Sequence, residues 1–499
     1  MELREYAHTD ATGLKDLLDR REVTPGEVFD LARAAIEQVD PVLGAVVGEV
    51  FDEPLAYASS GPFGGVPFAV KDLLCTAAGV RNENGSALMA GHVSPRDSHL
   101  MARWRTGGLA VLCRTSTPEF GFSATTEPAT HAPTRNPWNP DRVAGGSSGG
   151  SAALVAAGAL PWAHANDAGG SIRTPAALCG VVGLKPSRGL VPPGPDADEP
   201  LFGLTAEFAV TRSVRDAAAL LDLVHGSAPG DRYHLRRRAP GEFVAALGHR
   251  PRGLRVAVST GSPDVRADAA VAAEVARVAG LLEEFGGRVE WAEPVVDDER
   301  LRDLHLTFWS ASIADTLRAL TGGQDVEDAL ALVETATAAM VRHGLSLRWQ
   351  DVSRARAYQN ELTRSTADFL DGFDLVLSPV TRSTAWPIGE LDSNRPGIDA
   401  RGWVDTLSRY SPFTAVHNVT GRPAISVPTG MSAGLPVGVQ LAAAPGREDL
   451  LLAVAAQLEE AAPWHARVPP VHAGGSRAVP RPGRPAAENR AENREGEGR

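Results

Sequence analysis

Cysteine is scarce in this chain: Cys75, Cys113 and Cys179 are the three in 499 residues. Thiols so few and so scattered exclude a disulfide scaffold and a cysteine-based zinc site, and they fit a reducing cytoplasm. Basic residues are outnumbered, 49 Lys and Arg against 61 Asp and Glu, for a net charge of -12. A chain of that balance is a poor general ligand for nucleic acid or an anionic membrane, and the acidity reads as solubility. Long apolar runs are missing too. The longest, Ala152 to Ala163, is too short to span a bilayer and contains Gly158 and Pro161. The first residues, MELREYAHTDATGLKD, lack the apolar core of a signal peptide.

What is present is ordinary globular composition, 43% hydrophobic and 22% charged. The length allows about two to four average domains or one large α/β domain. Thr24-Pro25-Gly26-Glu27 reads as a capping box that opens an amphipathic helix. GGVPFAVKDLL reads as a buried strand ending at Lys71, SHLMARWRTGG as a helix stopped by Gly107-Gly108, and LAVLCRT as a buried strand. Three prolines and two asparagines make His131 to Ala144 a loop. Beyond it the pattern alternates. Small-residue helices are expected at Gly149 to Gly158 and Ser171 to Cys179, flanking a strand at Leu160 to His164. Further strands are GLRVAVST, RVEWAEP, FDLVLSPV and PAISVPTG; further helices are SVRDAAALLDLV, the run from Ala267 to Gly287, and REDLLLAVAAQLEEAA. Alternation of this kind predicts α/β architecture with a largely parallel or mixed sheet covered by helices. The stretch 474–499, rich in Pro, Gly, Arg and Glu with AENR twice, offers nothing to bury and is expected to be a disordered tail on a domain spanning 1–473.

Two glycine- and serine-rich clusters, GGSSGGS from Gly145 and AGGS ending at Ser171, lie a short helix apart. A phosphate loop is excluded because neither cluster carries the required Lys-Ser/Thr pair. A nucleophile elbow matches the first cluster twice, but such an elbow leaves a buried strand, and here a proline-broken loop precedes it. The remaining reading is acyl transfer using both clusters and a lysine. Ser171 follows two glycines and opens a helix, where backbone N–H groups are free to point at an anion. The N–H groups of Ala168, Gly169, Gly170 and Ser171 are the candidates for stabilising a tetrahedral oxyanion. A serine hydroxyl needs a base. His164 lies on the far side of the predicted strand, whereas Lys71 ends an apolar run and can serve if burial holds it neutral.

GGVPFAVKD, GGSSGGSAA, NDAGGSIRTPAALCGVVGLKPSRG and NVTGRPAISVPTG, in this order and spacing, resemble the landmarks of the amidase signature family. The resemblance runs from about Leu14 to about Trp464. It implies one α/β/α domain around a large mixed sheet, and a Ser-cisSer-Lys triad that hydrolyses amides through an acyl-enzyme without cofactor or metal. By position it makes Lys71 the base, Ser147 the relay after a cis Gly146-Ser147 peptide, and Ser171 the nucleophile. Asp167 and Arg173 match positions that brace the nucleophile loop, and Ser148 one that supports the relay. The chain departs from many members in having Ala165-Asn166-Asp167 in place of Gly-Thr-Asp. HAND before the glycine pair resembles the subgroup of 6-aminohexanoate cyclic dimer hydrolases. The resemblance thus implies a cytoplasmic amidase acting on a small linear or cyclic amide, with no nucleic-acid or membrane partner and a homodimer as an option.

Single residues have plainer readings. Ser147 and Ser171, each alone, would be helix caps, and Lys71 a surface residue at a strand end. Asp167 and Arg173 form a local salt bridge, and Cys179 is a small core residue. Phe308 and Trp309 read as core more readily than as pocket lining, and His417 and Asn418 as turn chemistry before a buried strand. Two rival functions are a glutaminase-type subunit of an aminoacyl-tRNA amidotransferase and an inactive binding homologue. The segment after GLKPSRG departs from the first, and the intact Lys71/Ser147/Ser171 set argues against the second.

Overall fold

The computed structural model describes residues 1–261, 265–323 and 326–475. The expected tail from Gly474 onward lies outside the described residues, apart from Gly474 and Gly475. The strands begin with β1 (Val46–Val47), β2 (Val66–Lys71), β3 (Leu109–Thr115), β4 (Arg135–Asn136) and β5 (Asn139–Val143). They continue with β6 (Trp162–Asp167), β7 (Val182–Lys185), β8 (Ala206–Thr211) and β9 (Arg255–Val258). The last are β10 (Arg288–Trp291), β11 (Leu375–Pro379), β12 (Ala424–Ser432) and β13 (Leu435–Ala442).

Eight strands form one mixed sheet in the order β10-β9-β11-β13-β12-β7-β8-β6. Only the β10, β9 and β11 end is parallel; from β11 to β6 every neighbour is antiparallel. The mixed sheet covered by helices matches the expected fold class. One of these antiparallel pairs has a local cause. β12 and β13 are joined by Ala433 and Gly434, at φ 49° and 78°, the left-handed pair of a tight hairpin turn that matches strand twist. A smaller sheet, β1-β3-β2, carries Lys71 at its end. Its β2 strand is tied to β6 by Trp162 Nε1, which donates to Pro67 O at 2.9 Å, and by the Lys71 N–H, which donates to His164 Nδ1 at 3.2 Å.

β2, β3, β6, β7, β8 and β13 are buried along their whole length. A strand covered on both faces reads as a continuous apolar run rather than an alternating one. The helices Gly149–Ala156, Arg173–Cys179, Val214–Val224, Ala269–Glu284 and Glu448–Ala461 pack on strands of the large sheet. A separate layer of helices, Asp298–Leu320, Thr335–Ser346, Trp349–Leu370 and Ala400–Tyr410, packs against itself and stands over the serine-rich loops. The capping box forms as expected, with the Thr24 N–H donating to Glu27 Oε2 at 2.8 Å and the Glu27 N–H to Thr24 Oγ1 at 3.2 Å.

Two local expectations are corrected. His131 to Ala144 is not all loop: β4 and β5 pair in a short hairpin. Its turn is held by Asn136 Oδ1, which accepts from the Trp138 N–H at 2.9 Å, so the asparagine closes the turn that joins two strands. The second small-residue helix starts at Arg173 rather than Ser171, and the carboxylate of Asp167 accepts from the N–H groups of Gly170, Ile172 and Arg173 around its start.

Candidate active site

Lys71 ends β2 with no exposed surface. Its Nζ lies 2.6 Å from Ser147 Oγ and 2.6 Å from Asn166 Oδ1. Burial is the main influence on this ammonium and pulls its pKa down to about 7, against the opposing charges of Glu207 and Asp167. Burial thus favours the neutral amine. Asn166 Nδ2 donates to Leu73 O at 3.1 Å, which leaves the amide oxygen facing the lysine. Sequence reading recorded Asn166 only as a departure from the common Gly-Thr-Asp pattern. Its carbonyl here is a direct partner of Lys71.

His164 is not remote from the lysine. Nδ1 accepts from the Lys71 N–H, so Nε2 carries the proton and donates to Glu207 Oε2 at 2.7 Å. Both nitrogens are thereby occupied, and the ring braces the backbone of the lysine.

The Gly146-Ser147 peptide is cis. Ser147 is buried beside Lys71, and the neighbouring Ser148 stitches the two loops together. The Ser148 N–H donates to Ser171 O at 3.3 Å, and Ser148 Oγ to Asn166 O at 3.3 Å. The glycines of this cluster answer to close approach. A Cβ on Gly150 would stand 2.5 Å from Ser116 N and 2.6 Å from Ala45 O, so no other residue lets this helix seat against β3.

The loop carrying Ser171 is built around Asp167. Its carboxylate accepts from Arg173 Nε and an Arg173 terminal nitrogen, each at 2.9 Å, and both side chains are wholly buried. It also accepts from the N–H groups of Gly170, Ile172 and Arg173 at 2.8, 3.1 and 3.4 Å. Burial alone would raise the Asp167 pKa, but the charge and hydrogen bonds of Arg173, with help from Lys185 and Asn418, hold it well below the usual carboxylate range. Asn418 and Gln440 complete the cage. Asn418 Nδ2 donates to Asp167 Oδ1 at 2.8 Å, and its Oδ1 accepts from Arg173 at 2.7 Å. Gln440 Oε1, from β13, accepts from Arg173 at 3.1 Å. The turn reading of His417 and Asn418 is thus corrected: both lie in the short helix Ala415–Val419, and Asn418 is a bracket for the loop carrying Ser171.

This cage revises the oxyanion candidates. The Gly170 N–H is committed to Asp167. The N–H groups of Ala168, Gly169 and Ser171 meet no acceptor among the described residues. Gly170 itself, at φ 138°, is packed so that a Cβ would collide with Thr414 Oγ1.

Two cavities meet at this point, and Gly121 and Ser171 line both. One, of about 270 Å³, is bordered by Ser147 and Asn166. The other, of about 60 Å³, is bordered by Gly169, Gly170, His305 and Trp309. Of the two aromatic residues singled out in sequence, Phe308 is fully buried core, while Trp309 lines the smaller cavity. Cys179 is buried, its thiol donating to Ala144 O at 3.2 Å.

The amidase family model matches residues 30–452. A 6-aminohexanoate-cyclic-dimer hydrolase from Pseudomonas sp. is 40% identical over 484 residues, covering 92% of this chain and 96% of that one. An acylamidase from Rhodococcus erythropolis is 30% identical over 476 residues, covering 92% and 96% of the two chains. A solved 6-aminohexanoate cyclic dimer hydrolase superposes with a TM-score of 0.87 at 36% identity, covering 93% of this chain and 99% of that one. With the motifs, the fold and these likenesses agreeing along almost its whole length, the chain belongs to the amidase family, whose members hydrolyse amide bonds.

Proposed function

We propose that this amidase acts on a small-molecule carboxamide through an acyl-enzyme on Ser171. The observation that carries the reading is the buried Lys71 Nζ, 2.6 Å from Ser147 Oγ, in a cavity that Ser171 also lines. Ser171 Oγ attacks the carbonyl carbon and the C=O π pair moves onto oxygen. The Ser171 proton passes to Ser147 Oγ as the Ser147 proton passes to the lone pair of neutral Lys71. The oxyanion is held by the N–H groups of Ala168, Gly169 and Ser171. On collapse the C–N bond breaks, and the amine takes its proton from Ser147, which is refilled by Lys71. Water then attacks the ester by the same relay and releases the acid.

Ser148, Asp167 and Arg173 position these groups without touching the substrate. No helix among the described residues is long and apolar enough to cross a membrane. A homodimer is the oligomeric expectation, and sedimentation reads it directly. The test of the mechanism is fluorophosphonate labelling followed by peptide mapping. The adduct is expected on Ser171 and is expected to vanish in Lys71→Arg; an adduct on another serine overturns the assignment.

A further inference from the structure

The two cavities at Ser171 differ in size and in which catalytic group they contain. The tetrahedral carbon on Ser171 carries the acyl chain on one side and the leaving nitrogen on another. That nitrogen must take its proton from Ser147 Oγ. Proton transfer needs hydrogen-bond reach, about 2.6–3.2 Å between heavy atoms, so the amine half must leave through the cavity that Ser147 lines. Ser147 borders the cavity of about 270 Å³ and not the one of about 60 Å³. The larger cavity is walled mainly by apolar side chains, among them Leu73, Phe120, Leu201 and Ile313. The smaller one is bordered by Trp309, Leu407 and Thr174.

We propose that this chain selects N-substituted amides with a short acyl half and a longer, apolar amine half, the amine lying against Phe120, Leu201 and Ile313. The proposal rests on the reading that Ser171 attacks and Ser147 passes the proton. It sets the substrate class by volume. The larger cavity approaches the size of ordinary small-molecule sites, roughly 300–1,000 Å³, and the smaller one admits only a few heavy atoms. Primary amides of long acids would leave the larger cavity empty and crowd the smaller.

A pair of isomers separates the two halves. N-hexylacetamide and N-ethylhexanamide have the same formula and leaving amines of similar basicity, but the long chain is on opposite sides of the carbonyl. The wild-type chain is expected to favour N-hexylacetamide in kcat/KM by roughly tenfold or more, given what pocket fit to a few methylenes contributes to discrimination. Ser312→Phe, which fills the larger cavity, is expected to shrink that ratio; Ala124→Leu, which fills the smaller, is expected to widen it. A ratio of one, a preference for N-ethylhexanamide, or turnover of neither isomer overturns the proposal. Ser171→Ala is run beside them on both isomers. If it still turns them over, the nucleophile assignment fails. If it is dead while the wild-type preference is reversed, only the placement of the two halves fails.

Discussion

Lys71 Nζ and Asn166 Oδ1 are 2.6 Å apart in a place that solvent does not reach. An amide carbonyl accepts a hydrogen bond from either protonation state of the lysine. It orients Nζ without fixing the charge, as a carboxylate would. Asn166→Asp is therefore expected to raise the pKa of Lys71, because an added negative charge favours the ammonium. The rising limb of the kcat/KM profile should move to higher pH, and activity at neutral pH should fall. An unmoved limb in an active, folded variant would show that Asn166 does not act on the lysine.

In the wild type, activity should rise with pH through a limb near the Lys71 value of about 7, since only the neutral lysine takes a proton. Lys71→Arg should be nearly as damaging as Lys71→Ala, for arginine stays charged at any working pH. Turnover near wild type in the arginine variant, with chemistry rate-limiting, removes Lys71 as the base.

Ser171→Ala should cut kcat by about a thousandfold or more while leaving the melting temperature close to that of the wild type, since the hydroxyl makes no hydrogen bond to another described residue. Calorimetry and steady-state rates on the same preparation check both halves.

The same lysine opposes folding. Its pKa falls from 10.5 to about 7 on burial, so between those values the unfolded chain binds more protons than the folded one. Stability from this group therefore increases as pH rises from about 7 toward 10.5. Lys71→Met is expected to be inactive yet to melt at a higher temperature than the wild type at neutral pH, with the gap narrowing in mild alkali. A melting temperature that falls at every pH would mean that the bonds to Ser147 and Asn166 outweigh the burial.

Arg173→Met should be the most destabilising single change in the site, by about 3–5 kcal/mol, because it leaves the Asp167 carboxylate buried and uncompensated. Chemical denaturation reads the loss. Arg173→Met with Asp167→Asn should recover part of it, and an additive double variant would show that the two side chains do not depend on each other.

Much of this site is legible in the sequence because the chemistry is local. Lys71, Ser147 and Ser171 each sit in a short motif whose glycines and flanking apolar residues announce a tight loop beside a buried strand. Asp167 and Arg173 are 6 residues apart, and their pairing is read from that spacing. Asn418 and Gln440 are not legible, since they reach Arg173 across 245 and 267 residues and nothing near them in sequence mentions it. The same limit hid β13. Pro436 and Gly438 look like turn residues, and the strand is recognisable only through its pairing with β12 and β11. The two cavities draw their walls from segments spread between Leu73 and Ala415, so their shapes follow only from the assembled fold.

The bracket formed by Asn418 and Gln440 also sets a timetable. Translation runs from the N-terminal side, so Ser171 is made well before Asn418 and Gln440. Until then Arg173 has Asp167 but lacks the Asn418 and Gln440 acceptors that complete its cage. A purified chain ending at residue 430 should accordingly resist fluorophosphonate, whereas the full chain should react. The strand that completes the cage around Arg173 is thus made after Lys71, Ser147 and Ser171.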